Sequence, residues 1–150
     1  YFYFIFYFLF IERKTFFNPE STKTFMKKVL VVCTGNSCRS QMAEAWIQKF
    51  ASGRVQVFSA GTHPERVNTK AIHVMQLEGL DISNHKSNLV DEFIHMDLDY
   101  VITVCDDANE RCPYFPTVAK KMHKSFPDPA KAKGTEKEIL KVINRKDVSH

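Results

Sequence analysis

The sequence predicts a three-layer α/β/α domain on a four-stranded parallel sheet. Two observations carry this. Short, largely β-branched apolar runs without alternation, such as residues 29–32 (VLVV), suit strands buried on both faces of a parallel sheet. These runs alternate with segments that carry helix caps and helical spacing, the rhythm of βαβ units.

The elements follow in order. The first strand covers 29–32 and ends in Cys33. Thr34, Gly35, Asn36 and Ser37 are turn and capping residue types. They lead into a helix over 41–50 (QMAEAWIQKF), with Met42, Ala45, Trp46 and Lys49 at helical spacing. A second strand is expected over 54–59. Pro64 breaks the chain, Asn68 caps a helix over 69–78 with Ile72, Met75 and Leu77 among its apolar positions, and Gly79 ends it. Residues 81–88 are polar and loop-like, and His85 within them is read as a structural hydrogen-bonder rather than a catalytic base. A short helix over 89–96 precedes the third strand, 99–104, which ends in Cys105. Cys105 then shares the carboxyl edge of the sheet with Cys33, where open parallel sheets place their ligands. A fourth strand is expected over 121–126. Pro127, Asp128 and Pro129 form a stiff turn holding one carboxylate over the same edge.

Two segments stand apart. Residues 1–25 open with the apolar run YFYFIFYFLFI, too short for the roughly 20 residues of a membrane-spanning helix and without the flanks of a secretory signal. They are read as an extension, disordered or artefactual, with membrane contact ranked below that. Residues 26–150 are the domain, Met26 being an ordinary start. Its last helix, after Gly134 and a Thr135 cap, stops early at RKDVSH.

The net charge of +4 and pI near 8.9 do not indicate nucleic acid, because the basic residues are interspersed and lack interleaved aromatics. Their densest part, Lys120, Lys121, Lys124, Lys131 and Lys133, reads as a solvated face that could weakly steer an anion. The four cysteines, Cys33, Cys38, Cys105 and Cys112, fit neither a zinc site nor structural disulfides well. With no export signal, a reducing, cytoplasmic compartment is expected, where redox cysteines are usually catalytic.

The chemistry is expected at residues 29–40. A loop that wraps into a helix N-terminus aims backbone N–H groups at one point, and the helix dipole adds positive potential there. That makes an oxyanion site. Cys33 lies on its rim, where thiolates are favoured, and Arg39, six residues on, can clamp a tetrahedral anion. The plainer reading, a buried thiol beside a surface arginine, leaves the coincidence of glycine, capping residues and C-x5-R spacing without a reason.

Residues 33–40 resemble the phosphate-binding loop of the low-molecular-weight protein tyrosine phosphatase superfamily, and CTGNSCRSQMAEAW is most similar to its thioredoxin-coupled arsenate reductases. Gln41 follows the loop where the phosphatases usually have proline. Further similar stretches are FSAGT (58–62), DISNHKS (81–87), VITVCDDANERCP (101–113) and FPDPA (126–130), so the resemblance covers about residues 27–140.

The resemblance implies the same fold and a reaction. Arsenate, a tetrahedral dianion, would be bound by Arg39 and the loop residues Thr34, Gly35, Asn36, Ser37, Cys38 and Ser40. Cys33 would attack arsenic, and Asp128 would protonate the departing hydroxide. Cys105 would then attack Cys33 and release arsenite, and Cys112 would attack Cys105 and carry the oxidation outward to thioredoxin or a similar dithiol. Bringing Cys112 to Cys105 would require local rearrangement of residues 106–111. Cys38 is placed outside the relay, and Asn36 and Ser59 are expected to hold the loop. No tightly bound cofactor is implied. Some relatives use a monovalent cation near the loop; if one acidic ligand there corresponds to Asn88, its loss of charge puts that cation in doubt here. The outcome would be arsenic detoxification. Two other readings compete: a phosphatase using Cys33 and Asp128 alone, and a non-catalytic thiol protein that binds metal or arsenite.

Overall fold

The computed structural model describes residues 26–51, 53–112, 115 and 119–125. Among these, β1 (Lys27–Cys33) is one of the two inner strands of the sheet, and Val29, Leu30, Val31, Val32 and Cys33 are all buried. An unalternating apolar run is stable only with both faces covered, and that is the position it takes. β2 (Val55–Gly61) pairs with it in parallel on one side and β3 (Tyr100–Thr103) on the other, and β4 (Lys120–His123) lies outside β3. The strand order is β2-β1-β3-β4, so the predicted four-stranded parallel sheet is the observed one.

The crossovers are helical. α1 (Arg39–Ala51) links β1 to β2 and buries Met42, Ala45, Trp46 and Ile47, with the polar Ser40 and Gln41, against the sheet. α2 (Thr69–Leu77) begins at the predicted cap, where the Asn68 side chain accepts from the backbone N–H of Lys70 and Ala71. It buries Ala71, Val74 and Met75, whereas Leu77, expected on the apolar face, is 66% exposed. The helix expected over 89–96 shrinks to one 3₁₀ turn, Val90–Phe93, which buries Val90 and Phe93. A short helix, α3 (Asp106–Arg111), follows β3 directly, with Cys105 as its N-cap. β4 starts one residue earlier than expected and exposes Lys120, Lys121 and His123, as suits an edge strand that must not recruit another. The extension 1–25, Asp128 and the shortened last helix lie outside the described residues.

Candidate active site

Register sets the site. Cys33, the last residue of β1, is opposite Gly61, the last of β2, while Val32 is opposite Thr103, the last of β3. Cys105 follows two residues after Thr103, so both cysteines stand at the carboxyl edge.

The loop after Cys33 is braced from outside by its carbonyl groups. The oxygens of Cys33, Thr34, Gly35 and Ser37 accept from the backbone N–H of Thr62, His63, Glu65 and Asn68 at 2.7–3.2 Å. A loop whose carbonyls are spent outward presents its amides inward, the arrangement that binds anions. Gly61 makes the close approach possible: a Cβ there would stand 2.5 Å from the Thr34 carbonyl oxygen and 2.8 Å from the Asn36 nitrogen.

Asn36 is the keystone of the loop. Its φ of 47° is left-handed, a conformation asparagine tolerates better than most residues. Its side chain is fully buried and satisfied at both ends: Oδ1 accepts from the Asn88 N–H at 2.8 Å, and Nδ2 donates to Ser40 Oγ at 2.7 Å. Its backbone N–H points at Cys33 Sγ, 3.1 Å away. Ser40 Oγ is 2.8 Å from the same sulfur. Because Ser40 already accepts from Asn36, its one hydroxyl proton is available for Cys33. Two donors therefore converge on the sulfur that would carry negative charge. Arg39 opens α1 beside them. Cys38 is buried and directed at Met42 Sδ, 3.9 Å away, in the core.

Thr34 joins the two cysteine strands. Its Oγ1 is 3.3 Å from Cys105 Sγ and 3.0 Å from Asp107 Oδ2. Cys105 Sγ accepts from the Ala108 N–H at 3.4 Å. Cys112 closes the far end of α3, half-buried, and burial pushes its thiol pKa up while the Lys121 ammonium pulls it down. Seven residues at helical rise separate Cys112 from Cys105 by about 10 Å, whereas a disulfide needs Cα atoms about 4.4–6.8 Å apart. The two can join only if α3 opens. All four cysteines are free thiols.

Several residues of this site carry no reading from sequence beyond helix or loop. Gln41 is fully buried, and its Nε2 donates to the carbonyls of Asn36 and Lys86, tying the loop to the segment before Asn88. The signal was present: Gln41 lies one turn before Ala45, on the buried face of α1. Ser87 Oγ lies 2.8 Å from the Asn36 carbonyl oxygen and within reach of that of Glu65, so its one proton is shared between the two. His85 plays the expected structural part, its Nδ1 donating to Gln41 Oε1 at 2.9 Å because the Gln41 amide nitrogen is spent on carbonyls. Ser59 does not hold the loop with its hydroxyl. That group donates to Glu44 Oε2 at 2.6 Å, and Ser59 reaches the loop only through Asn88, whose Nδ2 donates to the Ser59 carbonyl. Burial pushes the Glu44 carboxyl above its ordinary range, against the opposing pull of the Ser59 hydroxyl and of His85.

A cation beside Asn88 would have to displace a donor. The Asn88 Nδ2 already donates to the carbonyls of Ser59 at 3.1 Å and Lys86 at 3.3 Å. Among the described residues, no group of three His, Cys, Asp or Glu could hold a metal.

A phosphate-type loop, a strand-end cysteine and a following arginine belong to more than one architecture, and comparison with known proteins decides between them. Residues 28–145 match the family described as low molecular weight phosphotyrosine protein phosphatase. The chain belongs to that family. "Arsenate reductase 2" of Staphylococcus epidermidis is 50% identical over 104 residues, 69% of this chain and 79% of that protein. "Arsenate reductase" of Bacillus subtilis is 44% identical over 112 residues, 75% of this chain and 81% of that protein. A solved structure, "An arsenate reductase in the phosphate binding state", superposes with a TM-score of 0.65 at 32% identity, covering 79% of this chain and 89% of that one. The family match spans the sheet of order β2-β1-β3-β4, and residues 33–40 lie within it.

Proposed function

We propose that this chain reduces arsenate to arsenite through Cys33, Cys105 and Cys112. The observation that carries the reading is the contact of Thr34, the neighbour of Cys33, with the Cys105 thiol. Hydrolysis of a phosphate ester has no use for a second thiol at the rim of the loop, whereas reduction requires one. The similarity to proteins named arsenate reductase supports the same choice.

The steps balance. Cys33 sulfur bonds to arsenic, and one arsenic hydroxyl leaves as water with a proton from Asp128. Cys105 thiolate attacks Cys33 sulfur. The new S–S bond forms as S–As breaks, and that electron pair stays on arsenic, which leaves reduced as arsenite. Cys112 thiolate then attacks Cys105, returning Cys33 as thiolate and leaving a Cys105–Cys112 disulfide for thioredoxin or a similar dithiol. Arg39 and the loop amides hold the anion's charge throughout. No step of this reading calls on a tightly bound cofactor. Three free thiols in such a relay suit the cytoplasm, where the reductant is held reduced. Nucleic acid and membrane have no part in the reading. Among the described residues, no helix is long and apolar enough to cross a membrane.

The test is arsenate-dependent NADPH oxidation coupled through thioredoxin and its reductase, with hydrolysis of para-nitrophenyl phosphate scored in parallel. Sustained oxidation that falls to a single turnover in Cys112→Ser is the expected result. Hydrolysis without arsenate-dependent oxidation would favour a phosphatase, and silence in both assays a binding protein.

A further inference from the structure

Cys105 must lose a proton before it can attack Cys33, and it does so in a buried place, 4% exposed. The hydrogen bonds around it show where that proton can go. A carboxylate only accepts, so the single Thr34 hydroxyl proton is directed to Asp107 Oδ2, 3.0 Å away. The Thr34 oxygen then turns its lone pairs to Cys105 Sγ at 3.3 Å, which makes the thiol the donor. The chain reads S–H to O–H to carboxylate. Asp107 is held for the task, because its other oxygen, Oδ1, is 2.9 Å from Arg111 Nε one turn along α3. Of the other charged groups around α3, Asp106 pairs with His123 of β4 at 2.9 Å, Lys121 Nζ donates to the Asn109 carbonyl at 3.5 Å, and Glu110 is exposed.

We propose that Asp107 receives the Cys105 proton through the Thr34 hydroxyl as Cys105 turns nucleophile. The proposal rests on the three-cysteine reading above. The Cys105 proton moves to Thr34 Oγ1 while the Thr34 proton moves to Asp107 Oδ2. The pair left on Cys105 sulfur forms the bond to Cys33, and the S–As pair stays with arsenic. The Ala108 N–H supports the sulfur while it is charged. Asp107, whose side chain is 42% exposed, then passes its proton to water. Asp107 acts through Thr34 and is a positioning residue. Its neutralisation also removes the charge that Arg111 holds across one turn of α3, just when α3 must open for Cys112.

The experiment is single-turnover arsenite release from sodium arsenate by Cys112→Ser protein, which stops at the Cys33–Cys105 disulfide, followed across a pH series. Asp107→Asn keeps an oxygen to accept from Thr34 but cannot take the proton. In that background it is expected to slow release about 10²-fold near neutral pH, within the span of general-base effects, and the gap should close as hydroxide replaces the carboxylate. Asp107→Glu should recover most of the rate, and release by the parent protein should slow in D₂O because two protons move with the attack. Slowing by one constant factor at every pH, or no slowing, overturns the proposal, as does the absence of a solvent isotope effect, which needs no substitution at Asp107. Cys105→Ser separates the two readings. If it still releases arsenite, the relay itself fails and the proposal falls with it. If it does not, the relay stands and the Asp107 profile decides alone.

Discussion

Ser40 Oγ stands 2.8 Å from Cys33 Sγ and takes its own hydrogen bond from Asn36 Nδ2. The serine hydroxyl is therefore a one-way donor, pointed at the nucleophile by an asparagine that is itself locked. Ser40→Ala removes this donor and leaves the buried Asn36 amide without that acceptor. A hydrogen bond to a charged partner is worth about 1.5–3 kcal/mol, so the rate of Cys33 attack should fall about 10- to 100-fold. Labelling of Cys33 by iodoacetamide, located by peptide mass mapping, reads this directly. A rate equal to that of the parent protein would mean that the Ser40 proton does not serve the sulfur.

Gly61 supports the loop by having no side chain. The atoms its Cβ would meet, the Thr34 carbonyl oxygen at 2.5 Å and the Asn36 nitrogen at 2.8 Å, are backbone and cannot rotate away. Gly61→Ala must therefore displace the loop or the end of β2. A cost of about 1–3 kcal/mol is expected from overpacking of this kind. The more telling readout is ligand-linked. Phosphate at about 100 times its Kd should stabilise the parent protein by about 2.7 kcal/mol against urea, and most of that gain should vanish in the variant. An undiminished gain would show that the loop tolerates the intrusion.

What was legible in the sequence follows from which forces act locally. The unalternating run 29–32 suits a doubly buried strand, and a second strand leading to Cys105 puts both thiols at one edge. The Asn68 cap and the Gly79 ending, at φ 78°, were equally local. The brace around the loop was not. Gln41, Ser87 and Asn88 act across 51 or more positions, or through a helix face, and nothing in their own neighbourhoods announces a partner. DDANER was open between helix and loop because aspartate and asparagine are indifferent helix formers away from a cap. It is the Cys105 thiol, accepting from Ala108, that starts the helix. Leu77 looked apolar enough to bury, but α2 turns Ala71, Val74 and Met75 inward instead.

Cys112 gives the last prediction, and it concerns pH. Burial pushes its thiol pKa above the ordinary value, and Lys121 works against that push. An acid with a raised pKa is mostly protonated at neutral pH, so the thiolate that must attack Cys105 is scarce there and grows tenfold per pH unit until the raised pKa is passed. Transfer of the disulfide from Cys33–Cys105 to Cys105–Cys112 should therefore accelerate with rising pH and then level off. Lys121→Gln removes the opposing charge and moves the whole profile to higher pH. At neutral pH the transfer should slow by about two- to fivefold, the size of a partly screened charge pair, and above the raised pKa the two proteins should meet. Acid quench after a single turnover, followed by thiol trapping and mass mapping of the three cysteines, measures the transfer. A profile that is flat with pH, or unmoved by Lys121→Gln, would mean that the opening of α3, and not the ionisation of Cys112, limits the passage of oxidation to the surface.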